Sequence, residues 1–186
     1  MSASSQKDAK TPIINLMKAL KPFKGIERVE AFLKLASESY QDPQNHEWMT
    51  TITPHLKIHS HSPSPPTPSV TFLLTVLPIH ANGLNNMHGG CTSTIFDSCT
   101  SLALHLIAKP GFWEHMGVSR SLNVTYLRPI PVGTTITIKC EVLAAGRNQS
   151  ALRGEMRAVG EDGREGPLLA VCDHGKVNTD PPVEKL

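Results

Sequence analysis

The sequence predicts an α+β domain in which an antiparallel β-sheet wraps around one long central helix. Three observations carry this expectation. Six stretches have strand length and either alternate or run apolar, and four of them follow one another after residue 117. The stretch 89–108 contains no proline, has helical length and is apolar nearly all round, so such a helix must be buried. Short turn-type segments separate the last four runs, which favours hairpins over parallel crossovers.

Along the chain, the first 45 residues read as helical. Ile26, Val29, Phe32, Leu33, Ala36 and Tyr40 recur at spacings of three and four, and Asp42-Pro43 ends that stripe. Residues 47–60 look strand-like, and Ser62-Pro-Ser-Pro-Pro-Thr-Pro68 forms a loop or turn. Val70, Phe72, Leu74 and Val76 alternate with Thr71, Leu73, Thr75 and Leu77, a strand apolar on both faces. After the long helix, Leu122, Val124 and Tyr126 mark a strand. Ile136, Ile138, Cys140, Val142 and Ala144 mark the cleanest one, and Leu152, Gly154, Met156 and Ala158 the next. The last strand, 168–177, reads as apolar on both faces. Gly146-Arg-Asn and Gly160-Glu-Asp-Gly are the hairpin turns. The expected organisation is a helical extension (1–46), one domain (47–178) and a loose tail (179–186).

Bulk properties narrow the function. The chain has 186 residues, 39% of them apolar and 18% charged, with a net charge of +2. That describes a globular domain with no electrostatic footprint for nucleic acid. Cys91, Cys99, Cys140 and Cys172 form no CxxC pair, and the start lacks an apolar signal-peptide core. No apolar run is long enough to span a bilayer. A reducing intracellular compartment is therefore expected, cytoplasmic by default. Five lysines and one acid within residues 1–25 leave mitochondrial import open. The terminal Glu184-Lys185-Leu186 only half resembles a peroxisomal address.

The placement of charge points to chemistry. Between Lys57 and Lys109 the only Asp, Glu, Lys or Arg is Asp97, in the middle of the helix expected to be buried. A desolvated carboxylate with no local cation should have its pKa raised. It is either a reactive group or a structural Asp satisfied by Thr94 or Ser101 one turn away. At the helix start, Asn85-Asn86-Met87-His88-Gly89-Gly90 offers capping side chains and then two glycines. Free N–H groups there, backed by the helix dipole, suit a carbonyl oxygen that gains negative charge. An ordinary glycine turn would look the same.

Taken together, Asn82-Gly-Leu-Asn-Asn-Met-His88-Gly89-Gly90-Cys-Thr-Ser-Thr-Ile-Phe-Asp97 resembles the signature of hotdog-fold acyl-CoA thioesterases of the phenylacetyl-CoA type. Gly117-Val-Ser119, followed by Asn123-Val-Thr-Tyr-Leu-Arg-Pro129, is similar to that family's next strand. The resemblance covers residues 47–178 and implies an acyl-CoA or carrier-bound acyl substrate, with no cofactor. It implies that Gly89 donates its N–H to the thioester carbonyl and that Asn82 helps position it. Asp97 would activate water or attack directly, with Ser119 orienting the water. At the substrate-binding turn of His88 and Gly90, His88 either fixes the turn or acts as an acid–base catalyst, and Arg128 either meets a CoA phosphate or is a solvated surface group. The sequence departs from the family in the long aromatic loop Lys109-Pro-Gly-Phe-Trp-Glu-His-Met116, in Arg120-Ser121 and in the helical extension.

Competing assignments are a hotdog hydratase or dehydratase and a non-catalytic acyl-CoA binding protein. His55, His59 and His61 lack a completing carboxylate or cysteine, so no metal site is expected. Trp113 with Phe112 is either a core plug or a lid. A lone sheet around one helix leaves an edge and an apolar flank uncovered, so a homodimer, or a dimer of dimers, is expected. Gly89 and Asp97 lie about 12 Å apart along one helix at 1.5 Å per residue. A single thioester would therefore draw on two chains, with Asn82 and Gly89 from one and Asp97 and Ser119 from the other.

Overall fold

The computed structural model describes residues 12–42 and 47–181. Two helices open the chain, α1 (Pro12–Ala19) and α2 (Gly25–Ser39). The strands are β1 (Lys57–Ser62), β2 (Ser69–Thr75), β3 (Val118–Tyr126), β4 (Thr135–Ala145), β5 (Gln149–Val159) and β6 (Glu165–Val177). Helix α3 (Gly89–Ala103) stands between β2 and β3. All strand pairs are antiparallel, in the order β1-β2-β4-β5-β6-β3, and the sheet lies against α3. Among the described residues no helix is long and apolar enough to cross a membrane.

The core forms where the two periodicities meet. Phe72 and Leu74 of β2, Ile136 and Ile138 of β4, and Leu152 and Met156 of β5 point inward at alternate positions. They close on Ile95, Phe96, Cys99 and Leu102 of α3, spaced at three and four. Each such large apolar side chain contributes roughly 1.5–3 kcal/mol by leaving water. The register has β5 crossing under the helix at Gly154. A Cβ there would lie 2.6 Å from Phe96 Cδ1 and 2.8 Å from Cys172 Sγ. In α2 the expected stripe is buried at Val29, Leu33 and Ala36. Arg28 is buried beside it and donates to His105 Nδ1 (3.1 Å), Leu20 O (2.9 Å) and Glu114 O (2.9 Å). The extension is thereby bonded to the far end of the central helix.

Several expectations need correction. Residues 48–55 form two 3₁₀ turns rather than a strand, and β1 begins only at Lys57. Pro54 explains the interruption, since it lacks a donor for a sheet ladder. The central α-helix ends at Ala103 and continues as a 3₁₀ turn, Leu104–Leu106. It is not buried all round. One face is in the core, while Gly90, Cys91, Ser93, Thr94, Asp97 and Ser98 form a partly exposed stripe. Strand β6 begins at Glu165, and its inward face ends in His174 and Lys176 instead of apolar side chains. Trp113 is a core plug, fully buried, with Nε1 donating to Gly146 O at 2.8 Å.

The tail expected to be loose from residue 179 is bonded at Asp180. Its carboxylate accepts from Glu114 N, His115 N and His115 Nδ1 at 2.7–2.9 Å. Residues 1–11, 43–46 and 182–186, which include Pro43 and the Glu184-Lys185-Leu186 end, lie outside the described residues.

The contact at Gly154 has a measurable consequence. Gly154→Ala should lower stability by about 1–3 kcal/mol, the usual cost of overpacking, read as a fall in denaturant midpoint. A wild-type midpoint would show that β5 and α3 are not in the close contact described.

Candidate active site

The start of α3 is held by local hydrogen bonds. The Asn82 side-chain oxygen accepts from Leu84 N (2.9 Å) and Asn86 N (3.3 Å), folding residues 82–86 into a tight turn. His88 is the N-cap, with extended φ/ψ, and its Nδ1 accepts from Gly90 N at 2.9 Å. The Gly90 N–H is therefore taken by the cap. The Gly89 N–H, at the first helical position, has no acceptor within the helix and lies at the positive end of its dipole. The Tyr126 hydroxyl packs beside Gly89, donating to Gly89 O at 3.0 Å, and sits 2.7 Å from Ser93 Oγ. A Cβ on Gly89 would meet that ring at 3.5 Å. Asn82, Gly89, Tyr126 and Arg128 line one cleft of about 420 Å³. Arg128 is exposed, and its Nη1 donates to Leu168 O at 2.8 Å.

Asp97 lies two turns further along, on the partly exposed stripe. Ser119 Oγ donates to Asp97 Oδ1 at 2.5 Å. Gly117 (φ +61°) makes the entry into β3 possible, because a Cβ there would collide with Val177 O. Two residues of β6 complete the cluster. His174 Nε2 lies 3.0 Å from Ser119 Oγ and 3.3 Å from Asp97 Oδ1, with its Nδ1 2.6 Å from Thr100 Oγ1. Lys176 Nζ donates to Ser101 Oγ (2.7 Å) and Ser119 Oγ (3.3 Å). Both residues are almost fully buried. Burial first, and then the Lys176 charge, hold the His174 imidazole down at about 4, with Asp97 opposing both. Burial also lowers Lys176, and Asp97 counters that. Asp97 and Lys176 line a second cavity of about 190 Å³, with Phe32, Tyr40, Met49 and Met116 among its walls.

The expected site residues thus fall into two groups within one chain. Asn82, Gly89 and Arg128 share the first cleft; Asp97 lines the second, with Ser119 bonded to it. His88 and Gly90 are bonded to one another in the cap. The expectation of a carboxylate without a local cation is overturned, because β6 brings the Lys176 ammonium to it. His174 and Lys176 escaped the sequence reading. Continuing the period-two face of Ala170 and Cys172 by two more steps would have found them.

Residues 84–164 match the family model described as "Thioesterase superfamily". The structure of zebra fish thioesterase superfamily member 2 superposes with a TM-score of 0.60 at 23% identity, covering 78% of this chain and 96% of that one. The fold is the hotdog fold of that structure. Acyl-coenzyme A thioesterase 13 of Mus musculus is 35% identical over 68 residues, which are 37% of this chain and 46% of that protein. The chain thus spans just under half the length of the curated relatives of that name. A hypothetical thioesterase protein from Streptococcus pneumoniae, solved with coenzyme A, superposes with a TM-score of 0.53 at 20% identity, covering 68% of this chain and 91% of that one.

Two buried histidines of this hotdog domain tie its stability to pH. His174 is held at about 4 and His105 at about 3, both chiefly by burial. An unfolded histidine titrates near 6.5, so the unfolded chain takes up protons that the native one refuses as pH falls from about 6.5 to 4. Stability from these groups is complete above about pH 6.5 and is lost progressively below it. Thermal melts should therefore fall between pH 7 and 4.5. In His174→Gln that pH-dependent loss should shrink by about 2 kcal/mol; an unchanged pH profile would mean that His174 is not buried neutral.

Proposed function

We propose that this hotdog domain hydrolyses acyl-CoA thioesters, with Asp97 as general base or nucleophile and the Gly89 N–H polarising the carbonyl. The observation that carries the proposal is the pair of complementary groups on α3, an N–H at the helix start with no acceptor among the described residues and a hydrogen-bonded carboxylate two turns on. A developing oxyanion needs a preorganised donor, and the attacking oxygen needs a base or is itself the carboxylate. The Ser119 proton is given to Asp97 Oδ1, and the other carboxylate oxygen has no hydrogen-bond partner among the described residues. It is the oxygen left for water or for the acyl carbon.

The names of the relatives support the same chemistry. The mouse protein is called an acyl-coenzyme A thioesterase, and the pneumococcal structure holds coenzyme A. We infer that CoA lies along the cleft of Asn82, Gly89 and Arg128, where the exposed guanidinium suits a phosphate. The mainly apolar cavity beside Asp97 would take the acyl group. Helix α2 contributes Phe32 to that cavity, which gives the extension a part in choosing the acyl chain.

The two groups can act on one thioester only if they come from two chains. The stripe of small residues on α3 and the exposed edge strand β3 are the surfaces on which a second copy would pack, with Gly89 of one chain facing Asp97 of the other. A homodimer is the least assembly that completes a site.

The test is thiol release from a panel of short, long and aromatic acyl-CoAs, followed with a thiol reagent. Release from at least one member is expected, and Asp97→Asn should lower kcat by at least about a hundredfold with the fold intact. No release across the panel would favour an acyl-CoA binding protein. A fully active Asp97→Asn variant would end the proposed mechanism.

A further inference from the structure

The cluster behind Asp97 contains more polar groups than a hydrogen bond from Ser119 requires. Its proton placement can be deduced. Ser101 donates to the Asp97 carbonyl at 2.6 Å, so its oxygen is the acceptor for Lys176. Ser119 donates to Asp97 Oδ1, so its oxygen too is an acceptor, for Lys176 and for His174. Thr100 Oγ1 lies 2.6 Å from both Phe96 O and His174 Nδ1, and it has one proton to give. If that proton goes to Phe96 O, Nδ1 must carry a hydrogen. A neutral imidazole would then turn the lone pair of Nε2 toward the carboxylate. If it goes to Nδ1, Nε2 carries the hydrogen and donates to Ser119, with Asp97 Oδ1 3.3 Å away. The Phe96 carbonyl keeps its ordinary helical acceptor role in either case. A neutral imidazole therefore requires the proton on Nε2.

We propose that Lys176 is a positioning residue of this site. Its buried ammonium is the countercharge of Asp97, and it adds to burial in keeping a proton off His174. The neutral imidazole then donates to the Ser119 oxygen and the Ser119 hydroxyl to one oxygen of Asp97, which leaves the other free to react. The charged groups acting on His174 are Lys176 from its own strand and Asp97 from α3. On the neighbouring strands the residues opposite it are Leu122 of β3 and Leu152 of β5, both uncharged. Without the ammonium, burial alone would oppose the pull of a carboxylate 3.3 Å away, and the imidazole would take up a proton and tie Asp97 into an ion pair at higher pH. Lys176 meets Asp97 through Ser119 and Ser101, so its role is exerted through other groups. The catalytic consequence rests on the thioesterase assignment; the charge distribution does not.

The experiment follows the His174 imidazole by nitrogen-15 NMR across pH, in the full chain and without turnover. In the wild type it should be neutral at pH 6 with the proton on Nε2, titrating at about 4. In Lys176→Met and Lys176→Gln the midpoint should rise by about one unit or more, the usual effect of a nearby charge. The acid limb of kcat/KM for the best acyl-CoA should move the same way. Lys176→Arg, which keeps the charge, should return both toward wild type. A His174 midpoint that stays put in either folded charge-free variant would overturn the proposal. If neither folds, the wild type decides, and an imidazolium at pH 6 overturns it. A wild type that releases no thiol, yet shows the expected imidazole behaviour, would sink the thioesterase assignment and leave the charge arrangement standing.

Discussion

A straight helix cannot bring its first residue and its ninth to the same atom. Gly89 and Asp97 are separated by about 12 Å of axis at 1.5 Å per residue, and that constraint organises what surrounds them. The helix must stay straight and rigid for the separation to be defined, and the sheet provides this by holding Ile95, Phe96, Cys99 and Leu102 in a close-packed core. Gly154 lets β5 approach the helix at the level of Phe96, one residue before the carboxylate. The proposed division of the site between two chains requires the opposite face to stay open and thin so that a second helix can come near. Apart from Asp97 that face is built from glycine, serine, threonine and cysteine.

Those hydroxyls have local duties as well. Ser93, Thr94 and Ser101 donate to the carbonyls four residues earlier, at Gly89, Gly90 and Asp97. A helix so rich in serine and threonine would otherwise leave polar groups competing with its backbone. The same back-bonding turns the Ser101 oxygen into an acceptor, which is where Lys176 finds its shortest bond. Local helix chemistry and site electrostatics are therefore one arrangement.

Much of this was legible in the sequence. The hydrophobic periods of β2, β4 and β5 and the hairpin turns at Gly146 and Gly160 stand where the pattern put them, because alternation at a half-buried sheet has few other solutions. The motif from Asn82 to Asp97 identified the helix start and the carboxylate together. What escaped was non-local. Asp97 is isolated along the chain but not in space, since β6 places Lys176 and His174 behind it. A leucine-rich start made that strand read as apolar throughout. Burial of Arg28 and of Asp180 was equally invisible, because each depends on backbone groups from distant loops. Trp113 could be a plug or a lid until the Gly146 carbonyl was seen to accept its proton.

The central claim is that each site is divided between two chains, and mixing two inactive variants tests it most directly. Asn82→Ala and Asp97→Asn homodimers should each be nearly inactive. Refolded together in equal amounts, they should form mixed dimers as about half of the population, each with one intact site of two. About a quarter of wild-type thiol release should then return. If mass spectrometry shows that the chains have exchanged and no activity returns, the two groups do not meet across an interface and the account is wrong.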